Sequence, residues 1–246
     1  GFYQRDGGYI DNVRATRTFT LGDGDPTTNV TVNNANLAEK DFNDVDTYGG
    51  RAALKIDLDD NWTVTPAIIY QRQLSRGSFA FDKKKGDLKV SDFRPSSNLD
   101  RFYQAALTIE GKISDFDLIY SGGYFERRVK TAMDYSYYTV AYDQIPGYTK
   151  FPDGMGGFLD PTQSIFADER YTKFTQEARL SSPSDKRFRV IAGVFYQRQT
   201  NKDNTDFSIQ NLGTIVTQPR GFGDDLFARR LFRVDTDYAA FAEANF

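Results

Sequence analysis

The chain has 246 residues, a net charge of −3, 21 Phe, 15 Tyr and 20 Gly, and neither Cys nor His. Those absences exclude a disulfide framework, a Cys/His metal site and an imidazole general base. With a pI near 5.2 there is no basic surface for nucleic acid. No apolar run approaches the ~20 residues that a transmembrane helix needs. Mean hydropathy is −0.58, a value that suits a soluble protein, but barrel strands escape that test because only alternate residues face lipid.

The elements are set by period-2 alternation. A short strand is expected near 1–10, followed by a long polar stretch at 14–45. In 46–58 one face carries Tyr48, Gly50, Ala52, Leu54, Ile56 and Leu58; the other carries Gly49, Arg51, Ala53, Lys55 and Asp57. After the polar turn Asp59-Asp60-Asn61, Trp62, Val64, Pro66, Ile68 and Tyr70 share a side of 62–73. Pro66 cannot donate a ladder hydrogen bond, so a bulge or a place near a rim is expected there. Beyond a second long stretch, 74–98, segment 103–111 puts Tyr103, Ala105, Leu107 and Ile109 on one face. A tight turn at 112–115 leads to Phe116, Leu118, Tyr120, Gly122 and Tyr124.

The third long stretch, 131–170, precedes Phe174, Ala178 and Leu180. The turn 182–186 then leads to Phe188, Val190, Ala192, Val194 and Tyr196. A fourth stretch, 201–232, ends at Tyr238, Ala240, Ala242, Ala244 and Phe246. This gives about eight strands, most near the ~9–11 residues that cross a bilayer. Aromatics recur at the ends of the apolar faces, where interfacial girdles place them, and short turns alternate with long loops. The expected fold is therefore all-β: an antiparallel transmembrane β-barrel segment with short periplasmic turns and long extracellular loops.

Several phrases resemble the TonB-dependent receptors of Gram-negative outer membranes, sphingomonad-like ones most of all. They are Gly7-Gly8-Tyr9-Ile10-Asp11-Asn12, Asp46-Thr47-Tyr48-Gly49-Gly50-Arg51-Ala52-Ala53-Leu54 and Trp62-Thr63-Val64-Thr65-Pro66, then Phe174-Thr175-Gln176-Glu177-Ala178-Arg179-Leu180-Ser181-Ser182, Gly193-Val194-Phe195-Tyr196 and Asp237-Tyr238-Ala239-Ala240-Phe241-Ala242-Glu243. The resemblance implies a plugged barrel of about 22 strands that takes up a scarce nutrient, such as an iron chelate or glycan, with energy delivered by TonB through the plug. On that reading residues 1–246 are front or middle hairpins of one barrel domain, with the plug and the remaining strands outside this chain. The chain begins at Gly1 without an initiator Met or leader, which processing or partial coverage would explain. A passive porin-like channel is the alternative. A barrel enzyme is not expected, because outer-membrane proteases and phospholipases typically rely on a histidine base; a soluble all-β sandwich is the remaining alternative.

Expected partners are outer-membrane lipid and lipopolysaccharide, the plug, TonB and a small-molecule ligand, with no cofactor. The lumen-facing set is Arg51, Lys55, Gln71, Gln104, Glu110, Glu177, Arg179, Arg189, Gln197 and Glu243, which fits a watery or plug-filled interior. For ligand contact, loop 131–170 offers Asp134, Tyr135, Tyr137, Tyr138, Tyr142, Asp143 and Tyr148, since rigid aromatics give contact area at low entropic cost. Rim packing would use the same tyrosines equally well. Asp23-Gly24-Asp25 lacks the remaining oxygen ligands of a calcium loop. Lys83-Lys84-Lys85 is either a solvated charge run or a contact for anionic lipopolysaccharide.

Overall fold

The computed structural model describes residues 1–217, 219 and 221–246; Gln218 and Arg220, inside the expected loop 201–232, lie outside them. Eight strands follow one another as an antiparallel meander, each paired with the next. They are β1 (Phe2–Asp6), β2 (Val45–Ala53), β3 (Thr63–Arg76), β4 (Ser97–Ile113), β5 (Phe116–Asp134), β6 (Gln163–Ser181), β7 (Arg189–Ile209) and β8 (Asp225–Asn245). Among the described residues the sheet is open, with β1 and β8 at its edges. No helix among them is long and apolar enough to cross a membrane, which says nothing of strands.

The strands are longer than the alternation suggests. From β3 onward they run 14 to 21 residues, against the expected ~9–11. The extra length lies on the long-loop side, so the connections there shrink to 77–96, 135–162 and 210–224. In β3 to β7 these extensions are mostly polar on both faces, while that of β8 carries Leu226, Ala228, Phe232 and Val234 on one face, broken by Arg230. Cross-strand ion pairs such as Arg127–Asp100 and Arg229–Asp203, both 2.5 Å, replace apolar pairing there.

Pro66 sits inside β3, near its short-turn end, and pairs with Leu107 of β4. The register on its other side is continuous, from Ala53 opposite Ala67 to Ile56 opposite Val64. No bulge forms. Instead the ladder lapses for two residues, with the Leu54 N–H donating to the Pro66 carbonyl at 3.0 Å. The missing donor thus splits the neighbouring strand into 45–53 and Ile56–Asp57.

The two ends of the sheet differ in packing. Ile10, Phe19, Leu21, Val90, Phe93 and Leu212 are buried in the long connections, which fold together into a cap. Within it 11–12 pairs in parallel with 89–90, and 16–19 forms a hairpin with 30–33. Most strand residues buried near this end (Thr47, Val129, Gln163, Ile165, Asp203, Thr205, Ile209) belong to the polar face, Glu126 and Ser208 being exceptions, so the cap covers mainly that face. At the short-turn end the apolar face stays open: Leu58 is 64% exposed, Val194 58% and Ile68 51%.

Candidate functional site

Side chains that satisfy backbone groups across long distances in sequence hold the cap together. Asn43 Oδ1 accepts from the N–H groups of Tyr9 and Ile10, both at 2.7 Å. Asn12 Oδ1 accepts from Asp92 N at 2.8 Å, while Asn34 Nδ2 donates to the Asp92 carbonyl at 3.1 Å. Buried amides of this kind are stable only when paired, and each ties two connections into one body. The Arg17 guanidinium lies 4.2 Å above Phe93 and 5.0 Å above Tyr137, and donates to Ser136 Oγ at 2.8 Å.

The candidate ligand residues divide into two groups. Asp134 and Asp143 are anchors of the cap. Asp134 Oδ2 accepts from Phe93 N and Arg94 N, both 2.6 Å. Asp143 accepts from Thr20 N at 2.7 Å and Leu21 N at 3.0 Å. Tyr137 turns away from the other tyrosines, its hydroxyl near Ser91 and Asp82.

The other tyrosines converge. A short helix, α1 (Ser136–Tyr142), follows β5, and its spacing puts Tyr135, Tyr138 and Tyr142 on one side. Tyr135 stacks on Tyr138 with centroids 4.8 Å apart, Tyr138 meets Tyr142 at 4.3 Å, and Tyr142 stacks on Tyr148 at 4.9 Å. Tyr135 meets Phe207 edge-on at 5.5 Å, and Phe207 meets Phe227 in the same way at 5.5 Å. Phe207 and Phe227 are a cross-strand pair of β7 and β8. No alternating apolar run contains them, so sequence reading passed them over. The i, i+3, i+7 tyrosine spacing was visible, but not the helix that gives it meaning.

These rings border a cavity of about 660 Å³ lined by Tyr135, Tyr138, Tyr148, Phe151, Gln163, Phe207 and Phe227, among others. The lining offers ring faces, hydroxyls and one amide, and no carboxylate or amine. The hydrogen bond between the Tyr138 and Tyr148 hydroxyls, at 3.1 Å, raises the Tyr138 pKa further. The site therefore stays uncharged, suited to stacking on a neutral, ring-bearing guest. A larger cleft of about 960 Å³ lies beside β1–β3. Part of its charge is paired internally: Arg76 with Asp44 and Asp46 at 2.9 and 2.8 Å, and Arg5 with Asp44 at 3.4 Å; Glu39 and Asp41 also line it.

The polar-face set follows the register. Arg51 lies opposite Ile69, which lies opposite Gln104; Glu110 and Arg179 flank Ile119. Gln71 lies opposite Gly49, and Glu177 opposite Phe195. Gln197 donates to Asp237 at 3.0 Å, and Arg189 and Glu243 lie opposite Asn245 and Ile191. Lys55 falls in the ladder gap made by Pro66 and pairs with Asp57 at 3.6 Å. Arg179 Nε is buried without an acceptor.

Asp23 is engaged by its own turn and by Lys150, whose Nζ lies 2.6 Å away; that hydrogen bond leads the causes that lower its pKa to about 2. Lys83, Lys84 and Lys85 are exposed. Among the described residues, no His/Cys/Asp/Glu group is arranged to hold a metal ion. Comparison with family models, curated proteins and solved structures finds no match to this chain.

Proposed function

We propose that this chain is barrel wall of an outer-membrane receptor of the TonB-dependent type, with the tyrosine–phenylalanine cavity at its outer mouth as ligand contact. The observation that carries the reading is the sheet's apolar face. Rings cross it from strand to strand: Tyr48–Tyr70 at 6.4 Å, Tyr103–Tyr124 at 5.9 Å, Phe174–Tyr196 at 6.2 Å and Tyr196–Tyr238 at 5.1 Å. On the short-turn side of this row lie Ile68, Leu107, Ile109, Leu118, Leu180, Ala192 and Val194. An aqueous surface gains nothing from such a face, whereas a bilayer takes it up and holds the rings at headgroup level.

The opposite face is polar and is capped only at the long-loop end, as a lumen open to solute or plug would be. On this reading the short turns are periplasmic and the cap extracellular. Uptake then begins with a ligand stacking on Tyr135, Tyr138 and Phe207, and the energised step belongs to the plug and TonB. The resemblance in the β2–β3 and β6–β8 phrases supports the receptor type over a porin.

Fractionation of native membranes, with the intact mass of the polypeptide, tests the class. Recovery from the outer membrane only with detergent, on a chain far heavier than 27.9 kDa with a plug-like domain, supports it. A water-soluble species overturns it, and steady ion conductance in a planar bilayer without TonB points to the porin alternative.

A further inference from the structure

Five neighbouring strands each place an arginine on the apolar face, just to the long-loop side of the ring row. Arg72 of β3, Arg101 of β4, Arg128 of β5 and Arg170 of β6 stand directly opposite one another in turn. Arg198 of β7 lies opposite Phe174. Each lies two to four residues beyond the aromatic of its own strand: Tyr70, Tyr103, Tyr124, Phe174 and Tyr196. At a rise of about 3.3 Å per residue that is roughly 7 to 13 Å.

Like charges placed directly opposite across a sheet repel, so this register is destabilising by itself. The chain supplies little compensation. Glu126 accepts from Arg128 Nε at 2.6 Å and from an Arg170 Nη at 2.7 Å. Among the described residues it is the one carboxylate paired with the row. Arg72 reaches only the Tyr48 ring, at 5.6 Å. Between the rings and the arginines a cavity of about 260 Å³ opens on the same face, lined by Tyr70, Arg101, Phe102, Tyr103, Glu126 and Arg128. Tyr70 and Tyr103 lie on its ring side and Arg101 and Arg128 on the other, with Glu126 already held by Arg128 and Arg170. Among the described residues Arg101 is left without a carboxylate partner, which matches a lipid whose acyl part meets rings while an acidic group meets guanidinium.

Resting on the barrel reading above, we infer that Arg72, Arg101, Arg128, Arg170 and Arg198 form a belt that binds the acidic headgroups of lipids in the leaflet on the long-loop side. Guanidinium forks pair bidentately with phosphate or carboxylate, and a bound headgroup supplies the counter-charge that the register lacks. Each arginine contributes about fivefold to retention of an anionic lipid at the surface.

The test uses the purified protein in neutral detergent with mixed micelles of phosphatidylcholine and phosphatidylglycerol. Co-purifying lipid is counted by mass. The protein is expected to enrich phosphatidylglycerol, and Arg72→Gln/Arg101→Gln/Arg128→Gln to lose that enrichment at least ~10-fold while still holding phosphatidylcholine. The triple Arg→Lys variant, which keeps charge, should retain most of it. Arg51→Gln/Arg179→Gln/Arg189→Gln, an equal charge loss on the other face, should retain all of it. Inorganic phosphate at the same concentration should not compete.

Unchanged enrichment in the triple Gln variant overturns the belt, as does full competition by inorganic phosphate. Phosphatidylcholine retained without preference for the anionic lipid overturns the belt alone and leaves the barrel reading standing. Failure to retain either lipid, with the protein folded in water, overturns both.

Discussion

The cap and the short-turn half of the sheet are built on opposite rules. In the cap, Ile10 and Leu21 have no exposure at all, and buried Asn12, Asn34 and Asn43 answer to named backbone groups. It has the interior of a water-soluble protein. In the short-turn half, Val194 and Ile68 lie open beside Ala105, Gly122 and Ala240, and the buried side chains are few. The same chain satisfies polar groups inward at one end and offers apolar groups outward at the other. The solvent around a region can therefore be read from which side of it is unfinished.

Substitutions on the two regions should separate them. Phe19→Ala, in the cap, should cost about 3–5 kcal/mol by opening a cavity, measured as lost hydrogen-exchange protection confined to 8–43 and 77–96. A global loss would mean that the cap and sheet are one cooperative unit.

The cap should also respond to pH. Burial, with the Asp134 charge nearby, raises the Asp92 pKa from 3.8 to about 7. The folded cap keeps a proton that the unfolded chain has released, so this contribution is complete below pH 4. It is lost as pH rises through 7, by up to about 4 kcal/mol. Asp92→Asn should flatten the slope, seen as equal exchange protection of the Val90 amide at pH 5 and pH 8. A slope that survives the substitution assigns the effect elsewhere.

Val194→Arg, on the open apolar face, should cost about 2–4 kcal/mol in lipid. Gln197→Arg, on the other face of the same strand, should stay within about 0.5 kcal/mol. Urea unfolding in a lipid bilayer gives both numbers; equal small effects would mean that water, not lipid, surrounds Val194. A milder effect is expected at the tyrosine–phenylalanine cavity. Tyr138→Ala should weaken ligand binding about tenfold by removing the central ring of the stack, with melting temperature unchanged, in a titration calorimeter.

The sheet's short-turn half was legible because a strand with one apolar and one polar face must alternate: Tyr103, Ala105, Leu107 and Ile109 declare their face without any neighbour. The upper strands were not. In Arg127-Arg128-Val129-Lys130 charged residues stand on both faces and the single apolar one, Val129, is buried by the distant cap, so period 2 carries no signal. Pro66 was recognised as awkward, but the outcome, a lapse in the ladder without a bulge, depends on the neighbouring strand. The tyrosines of 135–148 stood out as a group. The division of the 134–148 candidates into stack (Tyr135, Tyr138, Tyr142, Tyr148) and anchors (Asp134, Asp143) depends on Phe207, Thr20 and Phe93, far along the chain. Such partners leave no local mark.

The anchors of the cap span the chain unequally compared with the hairpins. Asp143 holds Thr20 across 123 positions, and Asn12 holds Asp92 across 80, whereas β4 turns into β5 through two residues. Loops of that size close late, after the hairpins have shortened the path between their ends. Assembly is thus ordered in time: hairpins early, cap last. A protease pulse during refolding should cut within 14–43 after the sheet has already become resistant.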